Sequence, residues 1–376
     1  GKFKEDYFHA LRDQFEIYYF DQRGNGNSGQ LTEAVLMAAD KSAYGTETIC
    51  RDIEELRKQV IGKDRLSLLG ESYGGMVALS FPFLFPEQTE KVILHDTCPS
   101  NDYYLDLPRN KFEGFQLLDR TRFPGLLSDL ETVVKAFDAG QIQLSPGMEG
   151  IRSREFLQIG FLLTYSFPGQ DALAKMVKQL AQDKKSPILD AIFIALNADS
   201  GTPSSYLTTF LVQSTEMQNE EKIQNMLSNG TDYPIFKKAL NDEECFFPRR
   251  SFKKKFDINF FKEYNRIPHL GRLKVPVLIF VGRFDMVTPQ RYSELMAKEI
   301  GKTATLVILN NSAHDGFVQE NGFVIEKIRE FFAGRRPFDR QFPISASIRE
   351  MPSKRKPVTL KDAVDAVRFG KRYLPF

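Results

Sequence analysis

Gly70-Glu71-Ser72-Tyr73-Gly74-Gly75 stands between an apolar run, Arg65-Leu66-Ser67-Leu68-Leu69, and the apolar start of a helix, Met76-Val77-Ala78-Leu79. Strand, tight turn and helix in that order give the G-x-S-x-G pattern a mechanical meaning that it lacks in isolation. A serine on so sharp a turn is held with its hydroxyl exposed at a helix N-terminus, and neighbouring glycines avoid clashes of backbone with side chain. The helix N-terminus also favours negative charge that develops near the serine. Ser72 therefore reads as a nucleophile, against the plainer reading of a tight structural turn.

Outward from this turn the chain keeps an α/β rhythm. Upstream, residues 15–20 (Phe-Glu-Ile-Tyr-Tyr-Phe) are aromatic and β-branched, and they stop at the polar, Gly-rich residues 21–29, which predicts a strand entering a loop. Thr48 is the predicted cap of a helix with Ile49, Ile53, Leu56 and Val60 on one face and Gly62 at its end. Downstream, residues 91–95 (Lys-Val-Ile-Leu-His) predict a further strand. Strand, helix, strand, helix, strand is the pattern of a parallel sheet covered on both faces.

From about residue 100 to 268 strand-like runs stop, and helical stretches such as 173–180 and 188–196 alternate with Gly, Pro and Asn. This predicts a mainly helical insertion, a lid. Residues 241–261, with Arg249, Arg250, Lys253, Lys254 and Lys255, form a local basic patch whose plain reading is a solvated face. Strands resume at 276–281 and 305–309, and a last helix carries Phe323, Val324, Ile328, Phe331 and Phe332 on one side, with Gly334 to end it. Residues 335–376 carry 11 Lys/Arg against four Asp/Glu and one short predicted helix at 360–369, expected to dock on the body. The expected class is α/β, a doubly wound, mostly parallel sheet with a helical cap. Its expected division is 1–99 and 269–334 for the two parts of the core, 100–268 for the lid, and 335–376 for a basic C-terminal extension.

At roughly 150 residues per domain, 376 residues suggest two or three lobes. A hydrophobic fraction of 42% with 27% charged residues excludes collagen-like, low-complexity and largely disordered chains. Lys and Arg number 51 against 49 Asp and Glu, so a net charge of +2 supplies no field towards nucleic acid or an anionic membrane. No window approaches the roughly 18 apolar residues of a spanning helix. Cys50, Cys98 and Cys245 are odd in number and far apart, against both a disulfide framework and a zinc site. The expectation is a cytoplasmic protein with no metal.

A serine needs a base to take its proton. Of four histidines, His9 lies in a predicted helix, His95 ends a strand and His269 lies in the return from the insertion. His314, in Asn310-Asn311-Ser312-Ala313-His314-Asp315-Gly316, sits in a loop after a late strand, where an imidazole can reach over the sheet edge. The base in turn needs an acid to fix its tautomer and stabilise the imidazolium. Asp285 follows the preceding strand, 213 residues after Ser72 and 29 before His314, which gives the order Ser, Asp, His. Asp96, after an earlier strand, is the competing acid. Asp315, next to the histidine, is not expected to turn back to it.

Together with the Asp21-Gln22-Arg23-Gly24-x-Gly26-x-Ser28 loop and Gly282-Arg283-Phe284-Asp285, these residues resemble the α/β-hydrolase superfamily. Within it they resemble the prolyl aminopeptidases (proline iminopeptidases) and related serine aminopeptidases. The resemblance covers 1–99 and 268–334 well, and the insertion only in kind. It implies a serine acylated by an N-terminal residue, commonly proline, of a small peptide, with no metal or organic cofactor. It also implies an H-G-G-P-G loop upstream of the Asp21 strand, a motif this sequence lacks; Gly1 stands about where that loop would end. The first strands of the sheet are therefore expected to be missing, as in a truncated or processed form of a longer chain. One oxyanion donor can then be named, the backbone N–H of Tyr73, and loss of a second typically costs ~10²–10³ in rate.

In that family lid glutamates hold the substrate's ammonium group. Residues 213–221 offer Glu216 first and Glu220 second, although an acidic helix end facing water looks the same in sequence. Asp21 and Arg23 are expected to brace their loop by a local ion pair. Three functions follow: a serine hydrolase releasing N-terminal residues, proline preferred; a carboxylic ester or amide hydrolase with no need of a free amine; and a non-catalytic binding protein on the same fold. Dehalogenase and epoxide-hydrolase readings are disfavoured because those relatives use aspartate where this chain has Ser72.

Overall fold

The computed structural model describes residues 7–198, 206–217, 222, 250–334 and 359–371. In chain order the principal elements begin with α1 (Thr46–Leu56), β1 (Leu66–Glu71), α2 (Tyr73–Leu84) and β2 (Thr89–His95). A helical run follows: α3 (Leu107–Thr121), α4 (Leu126–Asp138), α5 (Ser153–Leu163), α6 (Phe167–Asp183), α7 (Pro187–Ala198) and α8 (Tyr206–Val212). The chain continues through β3 (Val277–Gly282), α9 (Gln290–Ile300), β4 (Ala304–Leu309), α10 (Asn321–Phe332) and α11 (Leu360–Lys371). It divides into two compact units, Gly1–Asn101 with Tyr264–Arg283 and Thr288–Lys356, and Asp102–Glu263 with Phe284–Val287 and Pro357–Phe376.

The first unit is built on a parallel sheet in the order β1-β2-β3-β4. Side chains alternate across it as the twofold period of a strand requires. Ile93, Leu278, Phe280 and Val307 face one layer and meet Val324, Ile328 and Phe331 of α10. Val92, Leu94, Val277 and Ile279 face the other, against Leu79 of α2 and Met296 of α9. Every residue of β3 is buried, so a central strand of this kind reads as a continuous apolar run. Because all four strands are parallel, their C-terminal ends lie along one edge of the sheet, the edge at which open α/β sheets bind ligands.

Four local expectations are corrected. Residues 15–20 form no strand, since the described sheet pairs none of them, and Tyr18, Tyr19 and Phe20 are exposed. α1 starts at Thr46 with Gly45 as its N-cap, ahead of Thr48, because Thr46 is buried and its hydroxyl lies 3.2 Å from that of Tyr73. Its predicted apolar face stops short of Val60, which is exposed, although Gly62 does end the segment in the left-handed region. Phe323 is exposed on α10, where Val324, Ile325, Ile328 and Phe331 carry the packing.

The Asp21–Arg23 brace also differs from the expected local pair. Arg23 forks onto Asp52 of α1, Nε to Oδ2 at 2.7 Å and Nη2 to Oδ1 at 2.5 Å, and it donates to the Ala43 carbonyl. Asp21 accepts instead from the backbone N–H of Asn27. Gly26 is at φ +51 with Asp21 only 2.3 Å from where a Cβ would stand, so the loop needs glycine there.

The second unit, among its described residues, is helical. α11 packs against α5, α6 and α7, and its Ala363, Ala366 and Val367 are buried. Small side chains allow the close approach: a Cβ on Gly169 would come within 2.9 Å of Ala366 Cβ. The basic stretch 241–249 and residues 335–358 of the extension lie outside the described residues.

Candidate active site

Ser72 follows β1 directly and is the N-cap of α2, at φ 53° and ψ −122°. A non-glycine residue at positive φ costs ~1–3 kcal/mol and persists only where its surroundings impose it. Here they do. The Ser72 N–H donates to the His95 carbonyl at 2.9 Å, and the Ser72 carbonyl accepts from Thr97 Oγ1 at 2.7 Å. The turn is thus bolted to the end of β2. Ser72 is only half-buried, which leaves its side chain reachable. Tyr73 is the first residue of α2, so its N–H belongs to the helix N-terminus.

The glycines divide by function. A Cβ on Gly70 would stand 2.1 Å from the Gly74 carbonyl oxygen, and one on Gly75 2.6 Å from Thr97 Cβ. A Cβ on Gly74 would meet nothing within 4 Å, so Gly74 is not held to glycine by crowding. Gly70→Ala is accordingly expected to destabilise the protein by about 3 kcal/mol, since backbone rather than a flexible side chain must give way. Gly74→Ala, in the first turn of a helix, is expected to stabilise by about 0.5–1 kcal/mol. Urea midpoints of the two variants check this, and equal midpoints would refute the packing argument.

His314 is buried in the loop between β4 and the short helix Gly316–Gln319. Asp315 Oδ1 accepts from the Ala313 N–H at 3.0 Å, and Glu320 Oε1 accepts from the Asn311 N–H at 2.8 Å. These contacts fix the loop and leave the Asp315 carboxylate turned to backbone. The loop also leans on β3, where a Cβ on Gly282 would stand 1.9 Å from the Ala313 carbonyl oxygen. Thr288 Oγ1 lies 3.5 Å from His314 Nδ1.

Asp96 is buried at φ 44°, and its carboxylate lies within 4.8 Å of a His314 ring nitrogen. Oδ1 accepts from the Gly282 N–H at 2.8 Å, and Oδ2 is 2.8 Å from His95 Nε2. His95 is itself buried and stacked on Phe317, with ring centroids 3.8 Å apart. Of the other histidines, His9 is exposed and His269 packs edge-on to Phe83.

Asp285 and Glu216 belong to the second unit. Asp285 comes three residues after the end of β3, is buried, and its Oδ1 accepts from the Val287 N–H at 2.7 Å. Its charge acts on Lys111, fully buried in α3, whose ammonium burial pushes down to about 7 while Asp285 pulls the other way. Glu216 lies in the π-helical turn Gln213–Met217 that extends α8, and it is buried. The water-facing alternative for Glu216 is thereby overturned, since only 5% of the residue meets solvent. Glu220 lies outside the described residues. The reading of the sequence missed Thr97, Thr288 and Lys111, single polar residues with no motif around them. Gly282 alone offered a signal, as a glycine closing an apolar strand.

Two family models match the chain. Residues 6–200 match the alpha/beta hydrolase fold, and residues 261–339 match the TAP-like protein family. A proline iminopeptidase of Pestalotiopsis fici is 21% identical over 332 residues, covering 88% of this chain and 86% of that protein. A proline iminopeptidase of Saccharolobus solfataricus is 23% identical over 331 residues, covering 87% and 80%. Among solved structures, a thermophilic esterase from Thermogutta terrifontis is 16% identical with a TM-score of 0.42, covering 88% of this chain and 85% of that one.

Proposed function

This chain belongs to the alpha/beta hydrolase fold family, and on that premise we propose that it is a serine hydrolase releasing N-terminal residues, proline preferred, from short peptides. The observation that carries the proposal is the strained backbone of Ser72 at the junction of β1 and α2. Strain held by two hydrogen bonds on a half-exposed serine has no packing purpose, whereas it suits a nucleophile presented at a helix N-terminus.

In this reading Ser72 Oγ attacks the substrate carbonyl while His314 takes its proton. The backbone N–H of Tyr73 donates to the oxyanion as it forms. His314 then returns the proton to the leaving amine, and water, activated by the same imidazole, releases the acyl group from Ser72. Asp285 is the acid that orients His314. The named relatives support a peptide substrate with a free amino group, and a buried glutamate supports recognition of that group. Glu216, buried at the end of α8, is proposed to receive the substrate's ammonium.

The test compares a prolyl arylamide with its N-acetylated counterpart. The free amine is expected to be cleaved at least about 100-fold faster, the size of losing a charge-paired contact of ~3 kcal/mol. Glu216→Gln should remove most of that preference and leave the acetylated substrate unaffected. Equal rates on the two substrates would make the protein an ester or amide hydrolase indifferent to a free amine.

A further inference from the structure

The loop Phe284–Val287, which contains Asp285, is gripped along its length by α3 and α6 of its own unit. Gln170 Nε2 donates to the Phe284 carbonyl at 2.8 Å, and Asn110 Nδ2 donates to the Val287 carbonyl at 3.3 Å. Gln170 and Asn110 are both completely buried. Met286 fills the space above Gly114, where a Cβ would stand 2.3 Å from Met286 Cγ. Phe284 packs beside Phe167, at 5.7 Å between ring centroids, and the Arg122 guanidinium, at 5.1 Å.

The orientation of Gln170 is determined by its neighbours. A side-chain amide can turn over, exchanging its donor and acceptor ends. Arg122 removes the ambiguity, because a guanidinium only donates: its Nη1 reaches Gln170 Oε1 at 2.6 Å. The amide nitrogen is then left for two carbonyls, those of Thr164 at 3.2 Å and Phe284. Arg122 is itself fixed by Asp171 at 2.9 Å and by stacking over Phe167 at 3.7 Å. The result is a buried relay, Asp171 to Arg122 to Gln170 to the backbone beside Asp285.

We propose that Gln170, oriented by Arg122, is a positioning residue for Asp285, so that catalytic competence depends on how α3 and α6 hold the acid loop. The proposal rests on the reading of Asp285 as the triad acid. A carboxylate displaced by about 1 Å costs on the order of 10²-fold in rate without altering what binds substrate. A buried amide that served packing alone would change stability and leave kcat in place.

The experiment measures kcat and KM on a prolyl arylamide for Gln170→Met in the wild-type and Asp285→Asn backgrounds, with thermal melts alongside. Gln170→Glu is the second variant, since it keeps the volume and the Arg122 contact but cannot donate to Phe284 while ionised. In the wild-type background both are expected to lower kcat by about 10–100-fold with KM within about twofold. In the Asp285→Asn background they are expected to lower it no further, because the group they position is already lost. Unchanged kcat in the wild-type background, or equal losses in both backgrounds, would overturn the positioning role and leave the triad reading intact. An Asp285→Asn protein with full activity would remove the acid assignment itself, and the role of Gln170 with it.

Discussion

Ser72→Ala is expected to lower kcat on a peptide arylamide by about 10⁶, the usual loss when a serine nucleophile is removed. The variant should also fail to label with a fluorophosphonate probe. Its stability should be unchanged, for a geometric reason. Alanine carries the same Cβ as serine, so the residue stays at φ 53° with the same strain, and the hydrogen bonds that hold the turn are made by the Ser72 backbone. Ser72→Gly provides the sharper contrast. Glycine removes strain of ~1–3 kcal/mol and adds an entropic cost of ~0.5–1 kcal/mol, so this variant should be at least as stable as wild type and equally inactive. An active Ser72→Ala protein would end the serine-hydrolase reading, and a Ser72→Gly protein less stable than Ser72→Ala would show that the turn stores no strain.

The sheet was legible because each strand carries its own evidence of burial. The runs at β1, β2, β3 and β4 are short, apolar and bounded, and in a sheet covered on both faces that pattern needs no alternation. Residues 15–20 have the same composition and no strand, because pairing is a property of a neighbour and composition does not supply one. The serine turn was legible for a different reason. A strand, a small-residue turn and a helix must follow one another locally, and the strain of Ser72 is a consequence of that order. Asn110 and Gln170 were not legible, since their partners lie 177 and 114 residues away and nothing in a helix marks the position that faces a distant loop. Glu216 shows the same limit, because burial at a helix end depends on what packs over it.

The acid is the member of the proposed triad on which sequence offered two candidates, and the carboxylates differ in their contacts. Asp96 has one oxygen on the Gly282 N–H and the other 2.8 Å from His95, so it ties the end of β2 to the end of β3. Asp285 accepts at Oδ1 from the N–H of Val287 in its own loop, a contact that sets the angle of the carboxylate. Asp285→Asn is therefore expected to lower kcat by about 10⁴, because the amide cannot stabilise the imidazolium and favours the wrong tautomer. Asp96→Asn keeps an oxygen for Gly282, and asparagine tolerates positive φ well, so kcat should stay within about tenfold and the loss should fall on stability, about 1–3 kcal/mol. Measuring kcat beside the urea midpoint for both variants separates the roles. If Asp96→Asn instead abolished turnover while Asp285→Asn remained active, the acid would be supplied by β2, and the frame between β2 and β3 would itself be part of the catalytic machinery.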